Sequence, residues 1–443
     1  PQLESLAART LGVPVRIGAI TARSEGLIPV IELGQVALQG ADGQPALELP
    51  RVVVAVSPRS LLRLGVEQLY IDAPLLEARR DSAGQLWIAG LPLPAASESQ
   101  DNPAADWLFS QTEIAIRGGQ LRWTDELRQA PPLALKDLDF VVRNKGRRHQ
   151  IRLDATPDSE WGARFTLSAQ LRQPLLSAHA GNWRRWTGQA YANFAQLDVA
   201  RLGQYIDLQG ASVSKGRGAL RAWVDIKRGQ VEQVTTDLVL SAVETRLRPD
   251  LPPLALRALQ GRLSVARLPG GYALGGQALT FETGDGLRWP ASGFSLRHSQ
   301  ADAAAAEFGA LGERGELRFE QFDLAIAAQL ASRLPIPDAA RSRLLALAPR
   351  GSVKALQASW RGPIDKPLQY EMSGEVQDLA LSDQPAAKGT GVPGVEGLQA
   401  KFSLNQLGGS AQLSMTGGAL RLPGVFEEPV LPLDKLSGAL RWQ

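Results

Sequence analysis

The residue types that most often do chemistry are sparse in this chain. It has 443 residues with no Cys, which excludes a disulfide frame, a thiolate nucleophile and thiolate metal ligands. Its three histidines, His149, His179 and His298, fall in separate strands or loops without an HExxH or other metal-ligand spacing. We interpret each lone histidine as a core or surface residue. The sequence therefore predicts no metal site and no cofactor.

Acidic residues lie close together at Asp125-Glu126, Asp137-Asp139 and Asp158-Glu160. A glycosidase needs two such carboxylates, but among 45 acidic residues close pairs are expected by chance. No GxSxG or Walker sequence occurs, and the GxGxxG match at 389–394 contains a proline where a dinucleotide-binding helix would have to begin. We predict no catalytic residue and no enzyme. A polysaccharide-active enzyme on a β-scaffold remains the alternative, together with a structural or partner-binding β-protein.

Tryptophan and arginine lie together at Trp183, Arg184, Arg185 and Trp186, a combination that can stack on sugars or bases. The 48 Lys and Arg residues nearly match the 45 Asp and Glu residues and are scattered along the chain. A mild net charge of +3 without a sustained basic tract argues against a nucleic-acid partner. We interpret these tryptophans as core or interfacial residues.

A short motif recurs along the chain and indicates its β-strands. It consists of Gly, any residue, Leu and, in most copies, a basic residue. It begins at Gly119, Gly218, Gly261, Gly315, Gly418 and Gly438. Each copy lies in a short alternating run, and the spacing between copies varies by tens of residues. The repeating unit is therefore a strand pair rather than a helical repeat of fixed length.

The strands themselves alternate apolar and polar residues, as where Leu167 and Leu171 flank Ser168 and Gln170. Such alternation gives a sheet one dry face and one wet face, typical of antiparallel sheets. Several strands change phase partway, for example at 118–119, which predicts bulges that bend the sheet. The predicted fold is mainly β, an elongated, twisted, curled antiparallel sheet that forms a hydrophobic groove, with a short helical insertion.

The chain shows no clear domain boundary, so we divide one continuous groove into stretches. They are an N-terminal groove segment at 1–92, a polar loop at 93–110, a central repetitive groove at 111–321, a helix–proline–helix insertion at 322–351 and a C-terminal groove segment at 352–443. A weaker helix is predicted over 198–205. We expect this helical insertion to act as a partial lid at the edge or mouth of the groove. Its apolar stripe is Ile326, Leu330, Leu334, Leu344 and Leu347.

An aliphatic face that the predicted helices are too small to cover must either curl on itself or hold an apolar ligand. The opposing interpretation is the core of an ordinary sandwich. The predicted lining of the groove is Ile114, Ile116, Leu138, Phe140, Val142, Ile151, Leu153, Phe165, Leu167, Leu171, Leu220, Val224, Ile226, Leu238, Leu240, Leu263, Val265, Leu279, Phe281, Leu317 and Phe319.

Several phrases resemble the AsmA-like proteins of Gram-negative envelopes, in particular the large YhdP-type branch. They lie at 119–135, 144–155, 186–191, 218–223, 334–337, 347–351 and 422–429, so the resemblance runs from about residue 31 to the end. It implies a bridge-like lipid transfer protein whose β-groove carries phospholipids across the periplasm towards the outer membrane. This chain would be an interior length of that groove, periplasmic, and held at the inner membrane by an anchor that it lacks. The family has no catalytic motif to transfer.

Overall fold

The computed structural model describes residues 2–11, 14–25, 28–39, 45–56, 66–92, 103–177, 179–206, 210–300, 312–336, 338–364, 366–384, 386, 391–426 and 428–443. The chain divides into two compact units. Unit 1 comprises residues 1–207 and 218–234, and unit 2 comprises residues 208–217 and 235–443.

Unit 1 contains helices and strands in the following order: α1 (Gln2–Leu11), β1 (Val15–Glu25), β2 (Ile28–Gln39), β3 (Pro45–Ala55), β4 (Gln68–Asp72), β5 (Leu75–Arg80), β6 (Leu86–Ile88), β7 (Leu91–Pro92), α2 (Pro103–Ser110), β8 (Glu113–Asp125), β9 (Ala130–Lys145), β10 (Arg148–Pro157), β11 (Phe165–Arg172), β12 (Thr187–Asp198) and α3 (Val199–Gly203). Strands β13 (Ser212–Lys227) and β14 (Gln230–Arg246) each contribute residues to both units.

Strand pairing in unit 1 is antiparallel from β1 to β4 and again from β8 to β12. Between these runs, β4 and β5 both pair with β8 in parallel, β4 along its first half and β5 along its second. The turn from β4 to β5 contains Ala73, which has a left-handed φ of 47°, and the buried Pro74. The prediction of antiparallel pairing is thus confirmed except where β8 pairs with these two strands. The alternation of residues within each strand does not indicate this parallel pairing.

Unit 2 continues with β15 (Leu254–Leu268), β16 (Gly271–Thr283), β17 (Arg288–Gln300), β18 (Glu313–Asp323), α4 (Leu324–Leu330), α5 (Asp338–Leu347), β19 (Arg350–Arg361), β20 (Gln369–Leu381), β21 (Gly394–Asn405), β22 (Gly408–Arg421) and β23 (Val430–Trp442). From β15 to β23 every strand pairs in antiparallel fashion with the next one in the sequence. The predicted fold class, a mainly β, twisted antiparallel sheet with a short helical insertion, is confirmed.

The predicted changes of phase are bulges. In β8 the register shifts between Ile116 and Gly119, and Gly118 has a φ of 61°. On the neighbouring strand Asp137 has a φ of 47°, a conformation unusual for a residue with a side chain. In unit 2, Ala355 occupies the same kind of position in β19. Each bulge moves the alternation by one residue, so the apolar residues after it stay on the same face as those before it.

The helices depart from the prediction in one place. Residues 103–110, assigned above to a polar loop, form α2, while residues 93–102 lie outside the described part of the chain. Two alanines and a leucine, all good helix formers, follow Pro103 at the helix start. The weak helix near 198–205 is present as α3, and the Asp198 carboxylate caps it by accepting hydrogen bonds from the backbone N–H groups of Ala200 and Arg201.

The helical insertion also has sharper bounds than predicted. Phe322 and Asp323 still belong to β18, and α4 begins at Leu324, capped by the Asp323 carboxylate, which accepts from the N–H of Ile326 at 2.9 Å. The second helix, α5, begins at Asp338 and ends at Leu347. The helical prediction therefore holds, with the first helix starting later because strand pairing to β19 extends through Asp323.

Candidate functional site

Strand register in unit 1 aligns apolar side chains into rows that cross the sheet. Ile116 lies opposite Phe140, Phe140 opposite Leu153, and Leu153 opposite Leu167. Residues directly opposite one another share a face of the sheet. A second row joins Ile114, Val142 and Ile151, and β4, β3 and β2 extend both rows through residues such as Ile71, Val52 and Leu33. We call this surface the apolar face of unit 1.

The other face of the same strands is polar. Glu113, Arg143, Gln150, Gln170 and Gln189 form one cross-strand row. Arg143 Nε lies 2.7 Å from Glu113 Oε2, and the Tyr70 hydroxyl donates to Glu113 Oε1 at 2.9 Å. Partial burial would raise the pKa of Glu113, but the hydrogen bonds from Arg143 and Tyr70 outweigh it and lower that pKa.

The predicted lining residues of β13 can be placed by their neighbours in unit 1. Tyr191 packs against Trp223 with ring centroids 5.5 Å apart, and Gln189 Nε2 donates to Asp225 Oδ1 at 2.9 Å. Since Gln189 and Tyr191 belong to the polar face, Trp223 and Asp225 lie there as well. Alternation then directs Leu220, Val224 and Ile226 to the apolar face. Phe165 and Leu171 share that face through their partners Ala155 and His149.

One end of the apolar face of unit 1 is closed. Ile114 and Val142 are 3% and 1% exposed there, whereas Ile116, Phe140, Leu153 and Leu167 further along the strands are only half-buried. Helix α2 lies over this end: Asn144 Nδ2 donates to the backbone carbonyls of Leu108 and Gln111, at 3.4 and 2.7 Å. The segment taken for a loop therefore contains the cover that the sequence analysis did not find.

The cover is fixed by a stack of rings beneath α2. Trp186 and His149 lie parallel with centroids 4.0 Å apart, and Phe109 of α2 meets both edge-on, 4.7 Å from Trp186 and 5.6 Å from His149. His149 Nδ1 lies 2.7 Å from Asn144 Oδ1 and Nε2 lies 3.2 Å from Gln173 Oε1. Burial lowers the pKa of His149 below its usual value, against the hydrogen bond with Gln173, which raises it. His149 and Trp186 are thus core residues.

Towards its N-terminus, unit 1 carries a second apolar cluster of Val15, Val36, Leu49 and Val52, against which Ala7 and Ala8 of α1 pack. Helices α1 and α2 also contact each other. At the opposite strand ends, Leu135, Leu138, Ala155 and Phe165 form a buried cluster with Phe140, Leu153 and Leu167 packed against it. Helical cover and self-packing bury the ends of this face more deeply than its middle.

Unit 2 has an apolar face built by the same rule. Val265, Leu274, Leu296 and Leu317 follow one another across β15 to β18, and the row continues to Ala358, Met372 and Leu404. None of these side chains is buried: Val265 is 51% exposed, Met372 is 36% exposed and the others are half-buried. The core of a sandwich would bury such a row almost completely. We call this surface the apolar face of unit 2.

Glycines in unit 2 make room for aromatic rings on that face. A Cβ at Gly315 would lie 2.1 Å from Cζ2 of Trp360 on the opposite strand, and a Cβ at Gly276 would lie 2.3 Å from the ring of Phe294. Phe319 stands beside Phe294 in the same row, with centroids 5.7 Å apart. The Gly of the repeated motif at 315 is therefore required by a ring lying across it, a cross-strand pairing used to stabilise glycine in sheets.

The other predicted lining residues of unit 2 lie in the same layer. Leu263 is opposite Gly276, and Phe281 is opposite both Leu259 and Trp289. Leu279 is opposite the buried Ser292. Leu238 and Leu240 are buried. Asp237 of β14 binds Arg262 of the polar face at 2.6 Å, so alternation points these two leucines to the opposite face.

The predicted lid residues differ in burial. Leu330 is fully buried, while Ile326 and Leu334 are half-buried, and α4 contacts β18 and β19. In α5, Leu344 and Leu347 are half-buried and no side chain is fully buried. Arg341 ties α5 to α4 through the Ala331 carbonyl at 3.2 Å, and Arg333 reaches Asp285 in the β16–β17 turn at 3.8 Å. The pair thus lies at one end of the strands of unit 2; its role as a lid remains a prediction.

Five of the six carboxylates singled out in the sequence form ion pairs with other described residues, Asp137 being the exception. Asp125 binds Arg80, Glu126 binds Arg79, Asp139 binds Arg164, Asp158 binds Lys136 and Glu160 binds Arg201. His179 Nδ1 lies 2.9 Å from Asp106 Oδ2 of α2, and the other carboxylate oxygen of Asp106 accepts a hydrogen bond from the Gly181 N–H, so this loop is bound to the helix. Within the described ranges no His, Asp and Glu residues cluster as metal ligands would.

Both units therefore define a β-protein in which regular strand pairs present one apolar face that is only partly covered and one polar face bearing ion pairs. No helix among the described residues is long and apolar enough to cross a membrane.

Comparison with family models identifies the family of this chain. A family model described as YhdP protein matches residues 1–443, so the chain belongs to the YhdP family, and the match includes the first 30 residues that the quoted phrases left out. No curated protein and no solved structure matches the chain.

Proposed function

We propose that this protein is a non-enzymatic lipid conduit, which holds the acyl chains of phospholipids on the apolar faces of its units. The observation that carries the proposal is the row from Val265 to Leu404 in unit 2, a regular apolar surface whose side chains stay half-buried or exposed. Soluble proteins seldom leave a contiguous apolar surface open without a ligand or partner. Membership of the YhdP family supports the same interpretation.

The energetics suit a sheet of aliphatic residues. Moving a two-chain phospholipid through water exposes roughly 30 methylenes at about 0.8 kcal/mol each, a penalty on the order of 20 kcal/mol. An apolar face that covers the chains removes most of this penalty while the headgroup stays in water. Leu, Val and Phe side chains make no directional bonds, so a flexible chain can slide along them.

The proposal places the protein in the periplasm of a Gram-negative envelope, held at the inner membrane by a segment outside this chain and delivering phospholipid towards the outer membrane. A hydrolase is the runner-up. It would need a carboxylate pair free to act, and the five carboxylates described above are held in ion pairs with Arg or Lys. A structural β-protein is the other alternative, in which no lipid would occupy the apolar faces.

Site-specific photocrosslinking in cells distinguishes these functions. A photoreactive amino acid at Leu296 of the apolar face should capture phospholipid, and the same group at the adjacent Ser295, which points to the polar face, should not. Equal capture at the two positions, or none at Leu296 or at Leu167 of unit 1, would refute the conduit.

A further inference from the structure

The polar face of unit 2 contains an unusual pair of like charges. Arg314, the second residue of β18, lies directly opposite Arg361, the last residue of β19. Side chains in such a pair stand about 5 Å apart at Cβ, and like charges there destabilise the sheet. Ser299 continues the row on one side and Gln369 on the other, so the row holds two cations and no carboxylate.

Several other basic residues of unit 2 pair with an acidic neighbour. Arg262 binds Asp237, Arg257 binds Glu282, Lys401 binds Glu375 and Arg421 binds Glu396. Arg314 instead donates from Nε to the Ser299 hydroxyl at 3.0 Å, and neither it nor Arg361 forms an ion pair with any residue that the structure describes. This row therefore lacks the acidic partner that these four residues have.

The pair lines an open cavity of about 650 Å³ on the polar face. Its walls also include Arg297, which lies opposite Glu316, the carboxylates of Glu316 and Glu371, and the polar side chains of Ser359 and Asn405. Three arginines against two carboxylates leave the lining with a positive excess, and guanidinium, hydroxyl and amide groups together suit an anion with several oxygens.

The same strand ends carry amphipathic aromatic residues on the reverse side. Trp360 precedes Arg361 in the chain, and Tyr370 follows Gln369. Trp360 lies opposite both Gly315 and Tyr370, so the two rings belong to the apolar face. The turns at this end expose apolar side chains, with Ile364 at 54%, Leu368 at 62% and Leu407 at 75%. A molecule with an anionic head and apolar chains could contact both faces around this rim.

We propose that Arg314 and Arg361 form a binding site for the phosphate of a phospholipid headgroup whose acyl chains lie on the apolar face of unit 2. This inference rests on the proposed function. Two guanidinium groups grip a phosphate by paired hydrogen bonds, and a bound phosphate removes the repulsion between them. A free phosphate offers the same chemistry, so the test separates the two sources.

The test compares the protein with the double variant Arg314→Gln/Arg361→Gln and the control Arg421→Gln, which removes an arginine already paired with Glu396. Each protein is loaded with phosphatidylglycerol, with diacylglycerol of the same chains, or with glycerol 3-phosphate alone. We expect phosphatidylglycerol to bind the double variant about tenfold more weakly or worse, with diacylglycerol binding unchanged and the control unaffected. The melting temperature of the empty double variant should be no lower than that of the parent, since a repulsion is removed.

Unchanged phosphatidylglycerol binding in the double variant would overturn this site while leaving the conduit in place. If neither lipid binds the parent protein, the conduit itself fails. Glycerol 3-phosphate then decides: a rise in melting temperature of the parent but not of the double variant supports a site for free phosphate, and no rise in either overturns the site.

Discussion

His149 and Trp186 lie face to face, 4.0 Å between ring centroids and 4° from parallel, beneath the helix that closes one end of the apolar face of unit 1. The imidazole is 1% exposed, and burial lowers its pKa. A proton on this ring would place a charge beside the apolar rings of Phe109 and Trp186. Burial therefore favours the neutral form of His149.

The first prediction is that unit 1 loses stability in mild acid. Because the pKa of His149 is lower in the folded than in the unfolded protein, the unfolded state binds more protons between these two values. Stability is complete above the unfolded value of about 6.5 and falls as the pH drops below it, by at most about 1.4 kcal/mol per pH unit. Urea unfolding from pH 7.5 to 5.5 measures the slope. His149→Phe should flatten it; identical slopes in the two proteins would contradict the assignment.

Adjacent ion pairs should differ in strength according to their burial. The Asp125 side chain is 2% exposed and bonds Arg80, whereas Arg79 and Glu126 are 48% and 41% exposed. Asp125→Asn should cost about 2 kcal/mol of unfolding free energy, and Glu126→Gln less than about 1 kcal/mol. Denaturant unfolding checks both values.

The same pair predicts acid sensitivity at lower pH. Burial would raise the pKa of Asp125, but hydrogen bonds from Arg80 and from the Arg128 N–H outweigh it and lower that pKa. Its stabilisation is present above the unfolded pKa of about 3.9 and is lost as the pH falls through the folded value. Asp125→Asn should remove this component; equal acid sensitivity would argue against it.

Two glycines of the repeated motif should respond differently to alanine. A methyl group at Gly315 would collide with Trp360 at 2.1 Å, while Gly438 has no atom within 4 Å of the added carbon. Gly315→Ala should destabilise unit 2 by about 1–3 kcal/mol through overpacking. Gly438→Ala should be neutral or slightly stabilising, since alanine restricts the unfolded chain. Thermal melting distinguishes them, and matching losses would mean that the ring can move aside.

A charge on the apolar face should obstruct lipid more than it harms the fold. Leu167→Asp places a carboxylate beside Leu153 and Ala192, where desolvating it costs several kcal/mol unless it reaches water. The half-buried position lets the carboxylate reach water when lipid is absent. Phospholipid delivery to the outer membrane should slow. Ser168→Asp, one residue away on the polar face, is the control, and normal delivery by a folded Leu167→Asp protein would count against the conduit.

Local patterns carried much of this fold. The alternation around Leu167 placed it on the same face as Leu153, and Gly118 indicated a bulge. Both features depend only on residues that are neighbours in the sequence. The parallel pairing of β4 and β5 with β8 was not predictable, since it joins strands separated by some forty residues. Helix α2 was missed because its short apolar run follows a polar stretch that favours a loop.

The candidate sites likewise differ in whether they depend on local sequence or on contacts between distant strands. The apolar lining followed from periodicity, but the opposition of Arg314 and Arg361 depends on the register of β18 and β19, which no single strand encodes. His149 likewise looked like an isolated histidine, and only the fold brings Trp186 and Phe109 to it.

The neighbour-to-neighbour pairing from β15 to β23 has a consequence for how the protein is made. Each strand of this run finds its partner in the segment synthesised just before it, so contacts are local and the sheet can lengthen strand by strand during synthesis. Strand β8, by contrast, must find β4 and β5 after a long excursion of the chain. Gain or loss of whole hairpins in the later run would alter its length during evolution without rewiring what came before.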